Sequence, residues 1–180
     1  MRGHTASMGD FPSRVEPQPV TVVESERFQE LVAAAEALLD ELAGRYVVER
    51  RETKEPLGEG DEVVRTVRLM PHSPAAGPLA ICFPDTSARI VLRLGRWFEQ
   101  SLPGYQDDID ELRKLAVAHV EGGLWERIRR GLSGSWLETR LIGPEITVSR
   151  EAPVDAVEAR AARREGFAMP VQWSPWTRRA

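Results

Sequence analysis

The sequence predicts an α+β domain: a single, mostly antiparallel sheet with helices packed on one face, in the order α-β-β-β-β-α-β-β-α. Three observations carry that prediction. Apolar residues recur at helical spacing in two long stretches and alternate in most of the segments between them. The connections between the four middle strands are too short for crossover helices, which makes neighbouring strands antiparallel. The chain of 180 residues fits one domain, and 42% hydrophobic against 29% charged side chains is a globular balance.

Residues 1–24 read as a flexible leader, because Pro12, Pro17 and Pro19 prevent a continuous helix. The domain then runs from 25 to 180. Ser25 is a candidate N-cap for a helix over about 26–43, in which Phe28, Leu31, Val32, Ala35, Leu38, Leu39 and Leu42 share one face and Gly44 ends the run. Tyr46–Glu52 and Val63–Met70 read as strands around a loop at Pro56, Gly58 and Gly60. Leu79–Phe83 is almost wholly apolar, as an interior strand is. Arg89–Trp97 is the fourth strand, with Ile90, Leu92 and Leu94 on one side, and Pro103-Gly104 closes the meander.

Asp107 or Asp108 caps a second helix whose stripe holds Ile109, Leu112, Ala116, His119 and Val120. Gly122-Gly123 bends or interrupts it, since each glycine costs about 1 kcal/mol against alanine in a helix; the helix resumes or ends before Gly131. Ser135–Ile142 and Glu145–Ser149 are two more strands. Pro153 stands at the first position of a third helix, with Asp155 and Glu158 early and Arg160, Arg163 and Arg164 late, the order the helix dipole favours. Gly166 ends it, and 167–180 form an irregular segment lying on the domain.

Composition narrows the function. A net charge of −4 speaks against a dedicated nucleic-acid binder. No window approaches the ~18 apolar residues of a membrane span. The first fourteen residues lack a signal-peptide core. With the lone Cys82, the expected location is the cytoplasm. Cys82 and three histidines, His4, His72 and His119, show no ligand spacing for a metal. The acidic turn Asp107, Asp108, Asp110 and Glu111 lacks the spaced ligands of a calcium loop and reads as capping. No Gly-x-Ser-x-Gly and no strand–glycines–helix phosphate cradle is present. The sequence therefore implies no cofactor and no metal.

Two sets of side chains stand out. Trp97, Trp125, Trp136, Trp173 and Trp176 are either a recognition surface or, for the last two, anchors of the C-terminal segment. Arg127, Arg129 and Arg130 beside Trp125 form a small positive face or a solvated helix end. His119, on an apolar stripe, is either a neutral core histidine or a proton-transfer group.

The chain from about Val20 to Arg179 resembles an uncharacterised family of small actinobacterial proteins, a domain of unknown function. The likeness rests on Glu26-Arg27-Phe28 before an apolar helix ending in Tyr46, on Val67-Arg68-Leu69 with its Pro-rich loop and following apolar strand, and on Trp173-Ser174-Pro175-Trp176. Relatives carry a cysteine-rich stretch where this chain reads Leu102-Pro103-Gly104-Tyr105-Gln106-Asp107-Asp108, so any metal the family's cysteines hold is not implied here. The order of elements also resembles small α+β binding proteins such as secretion chaperones and toxin-immunity proteins, at the level of fold alone. The functional expectation is a non-catalytic domain that binds another protein. The alternative is a small enzyme or small-molecule binder with a pocket under Trp97, His119 and Trp136.

Overall fold

A computed structural model describes residues 22–56, 63–85, 89–105, 107–132 and 134–180, with side chains from residue 26 on. The remainder of the expected leader and the loop at Gly58 and Gly60 lie outside the described residues.

Helix α1 (Val22–Arg45) begins four residues before the predicted start, and buries Leu31, Ala35, Leu38, Leu39 and Leu42 along one stripe. A five-stranded antiparallel meander follows: β1 (Val48–Pro56), β2 (Val63–Pro71), β3 (Leu79–Pro84), β4 (Ile90–Leu94) and β5 (Phe98–Leu102), in that spatial order. The expected fourth strand, Arg89–Trp97, is therefore too long. Gly95, at φ +60°, turns the chain, and Phe98 and Leu102 return to the core as a fifth strand.

Helix α2 (Asp108–Val120) ends at Glu121, and Gly122 leaves it at φ +84°. The chain does not resume the helix. It re-enters as β6 (Leu124–Gly131), pairs with β7 (Gly134–Ile142) and then β8 (Thr147–Val154), and β9 (Val171–Gln172) joins the other edge of β6. The expectation of a single sheet is overturned: the described residues form two antiparallel sheets, one of five strands and one of four in the order β8-β7-β6-β9. Pro153 opens no helix. It lies opposite Trp136 in the edge strand β8, where a missing N–H is tolerated. Helix α3 (Ala156–Arg164) is capped by Asp155, which accepts from the Val157 and Glu158 N–H groups at 2.8 and 2.9 Å.

One apolar core joins these parts. It combines the stripes of α1 and α2 with Val67, Leu69, Leu79, Ile81, Leu92 and Leu94 of the first sheet, Leu124 and Leu141 of the second, and Trp176. Burying each large side chain contributes about 2 kcal/mol. A smaller cluster of Ile128, Ala159, Ala162 and Phe167 lies under α3. Among the described residues, no helix is long and apolar enough to cross a membrane.

Candidate functional site

The alternation of β6 divides the six residues singled out from the sequence. Leu124, Glu126 and Ile128 point inward, and Trp125, Arg127 and Arg129 point outward. On β7 their partners are Arg140, Glu138 and Trp136. On β8 the same row continues as Ser149, Glu151 and Pro153. The helices make their apolar contacts on the other face, so among the described residues none lies over this one. Arg127 and Arg129 are thus strand residues on an open face, and the helix-end reading is corrected.

The face is organised by its own side chains. Glu138 accepts from Arg127 and, at 2.7 Å, from the Arg129 Nε–H, while Arg129 also reaches Glu151 at 3.4 Å. The Arg127 hydrogen bond, helped by the charge of both arginines, holds the Glu138 carboxyl below the usual carboxylate range. The Arg127 guanidinium stands over the Trp125 ring, 5.8 Å from its centroid. The Trp136 ring lies over Gly131, the diagonal cross-strand position, where a Cβ would meet its Cδ1 and Nε1 at 3.1 Å. The result is a half-buried surface of two flat rings held among arginines, with Ile142 exposed at one end.

The inward side of β6 makes a structural joint instead. Glu126, 0% exposed, accepts from the backbone N–H groups of Arg96, Trp97 and Phe98 at 3.0, 2.8 and 3.2 Å, and from Trp173 Nε1–H at 2.8 Å. Burial pushes its carboxyl up, and these four donors hold it back. This carboxylate ties the β4–β5 turn of one sheet, the second sheet and the C-terminal segment together. Trp97 donates from Nε1 to Glu158 at 2.9 Å and meets Phe167 edge-on, with centroids 4.6 Å apart. Trp176 donates to the Gly77 carbonyl at 3.0 Å and packs edge-on against Tyr46 and His119.

His119 is also 0% exposed, and its Nε2 sits 3.0 and 3.1 Å from the Gly77 and Pro78 carbonyls. Two carbonyl acceptors assign the proton to Nε2. Burial lowers its pKa from 6.5 to about 4, so the ring is neutral. Among the described residues no acid orients it, as the proton-transfer reading required, and Trp136 lies on the opposite side of the second sheet. Gly77 packs so closely between His119 and Trp173 that an added Cβ would stand 2.8 Å from the indole. The acidic turn is likewise structural: Asp108 is buried and accepts from the Gly104 and Tyr105 N–H groups at 2.7 and 2.8 Å. Asp107, at the N-cap, makes no side-chain cap. Among the described residues, no cluster of three His, Cys, Asp or Glu side chains could hold a metal ion.

The structure therefore sets Trp125 and Trp136 on one face, with Trp136 opposite Arg129, four residues along β6 from Trp125, and separates them from Trp97, His119, Trp173 and Trp176. Sequence reasoning missed Glu138, Glu151 and Arg140 as members of the face. Their signal was the two-residue spacing of Trp136, Glu138 and Arg140, which becomes meaningful only once β6 is a strand. Neither a curated protein nor a solved structure matches the chain. The family of unknown function DUF6226 matches it over residues 15–180, nearly its whole length, and the chain belongs to that family.

Proposed function

We propose that the protein is a non-catalytic protein-binding domain that engages its partner through the outer face of the second sheet. The observation that carries this reading is the pair of half-buried rings, Trp125 and Trp136, set among Arg127, Arg129 and Arg140 on a face over which no described helix lies. Aromatic rings and arginines are the side chains that dominate binding hot spots. Arg127 and Arg129 are already fixed by Glu138 and Glu151, so little side-chain freedom is lost on association. The matching partner surface is apolar at its centre and carries carboxylates at its rim.

The test compares the wild-type chain with the Trp125→Ala/Trp136→Ala variant. Each is first shown to be folded by circular dichroism, then used as bait at equal concentration, with sizing of the purified complex. The expected result is a stoichiometric protein partner retained by the wild type and lost by the variant. A strictly monomeric wild type that retains no partner, or a partner held equally by both, overturns the reading.

A further inference from the structure

The register of the first sheet sets a row of arginines across its outer face, away from the core and from the face proposed above for protein binding. Arg51 on β1 lies opposite Arg68 on β2, Arg68 opposite Ala80 on β3, Ala80 opposite Arg93 on β4, and Arg93 opposite Glu99 on β5. Like charges directly opposite one another destabilise a sheet unless something neutralises them. Arg51 is neutralised by Glu49 on its own strand, at 2.8 and 2.7 Å, and Arg93 in part by Glu99 at 2.8 Å. Arg68 has no carboxylate partner among the described residues. At about 4.8 Å per strand, Arg68 and Arg93 flank β3 with backbones roughly 10 Å apart. The residue between them is the small Ala80, so the two long side chains form walls and Ala80 the floor.

A cleft of about 300 Å³ occupies that space, lined by Arg68, Met70, Pro78, Ala80, Arg93 and Arg96, together with Gly95. Three arginines and no acidic residue line it, and of the three Arg68 alone has no carboxylate partner among the described residues, since Arg93 pairs with Glu99 and Arg96 with Glu165. Arg96 enters from the β4–β5 turn, where its backbone is fixed by Glu126 and its side chain pairs with Glu165. The floor is apolar and the volume is at the lower end of small-molecule sites. Guanidinium forks match the planar and tetrahedral oxygens of carboxylates and phosphates, and a positioned arginine loses little freedom in binding them. From this juxtaposition we propose that the cleft over Ala80, between Arg68 and Arg93, binds a small molecule through an oxyanion group, carboxylate or phosphate, with Arg96 as the third contact.

Calorimetric titration of the full chain, in chloride buffer of low ionic strength, tests the site with inorganic phosphate and with citrate as separate probes. The expected result is saturable one-to-one binding of at least one probe, and which one binds distinguishes the two oxyanion chemistries. Arg68→Met and Arg93→Met are each expected to weaken it by about tenfold or more, the effect of one lost charge-assisted hydrogen bond. Two variants are used so that misfolding of one leaves the other to decide. Arg160→Met, on α3, is expected to leave it unchanged. Absence of saturable binding by both probes overturns the proposal, as does binding that survives both arginine variants. So does a site that accepts a short poly-glutamate peptide and neither small anion. Each of these outcomes is independent of whether Trp125 and Trp136 bind a protein.

Discussion

At the scale of single residues, two buried polar groups behave in opposite ways. His119 is held neutral because burial disfavours its charged form, and among the described residues its Nδ1 has no partner to stabilise a proton there. Below pH 6.5 the unfolded chain takes up a proton at this imidazole, while the folded chain does not until about pH 4. The unfolded state then binds more protons, so stability falls as pH drops through that window, by about 3 kcal/mol. Glu126 slopes the other way, since its carboxyl is raised, and this cancels when wild type is compared with His119→Gln. Urea denaturation from neutral pH to about pH 4 is expected to show the wild type losing this stability and the variant, which can still donate to the Gly77 carbonyl, lacking that component. Identical slopes would mean that the folded chain carries a protonated His119. The residue's place in the core was readable from its stripe. Its partners were not, because Gly77 and Pro78 are 42 and 41 residues away.

At the scale of elements, α3 depends on its cap. It has nine residues and buries only Ala159 and Ala162, so packing alone holds it weakly. Asp155→Ala removes both hydrogen bonds to its first turn and is expected to cost about 1 kcal/mol. Hydrogen exchange is expected to accelerate in Ala156–Arg164 and to stay unchanged in β2 and β3; acceleration spread evenly over the chain would contradict a local role. The helices and the strongly patterned strands were legible for physical reasons. The stripe from Leu31 to Leu42 has no other use than packing, and Leu79–Phe83 is buried throughout. β6 was hidden because its inward row is Leu124, Glu126 and Ile128. A charge in the middle breaks the alternation, and the remaining Leu124–Ile128 spacing of four imitates a helix. β5 was hidden in the same way, since the residue between Phe98 and Leu102 on its core side is Gln100. β8 is an edge strand exposed along most of its length, so it carries little apolar signal.

At the scale of the whole molecule, the two sheets share one core, which includes Leu124 and Leu141 with the first sheet, and Glu126 and the C-terminal tryptophans make further contacts between them. The sequence could list the five tryptophans but could not sort them, since sorting depends on which face of β6 and β7 each one meets. The arginine row was beyond reach for a related reason: cross-strand register is set by hairpin geometry and not by composition. The account stands on this division between a buried joint and an outward face, and equilibrium urea denaturation of four single variants tests it most directly. Trp176→Ala, at a buried ring, is expected to cost about 3–5 kcal/mol, and Trp173→Ala, half-buried but packed against both apolar clusters, about 2–3 kcal/mol, each through lost packing and one lost hydrogen bond, to Gly77 or to Glu126. Trp125→Ala and Trp136→Ala are expected to cost about 1 kcal/mol each, as half-buried surface positions do. Equal costs at all four positions, or the reverse order, would contradict the account.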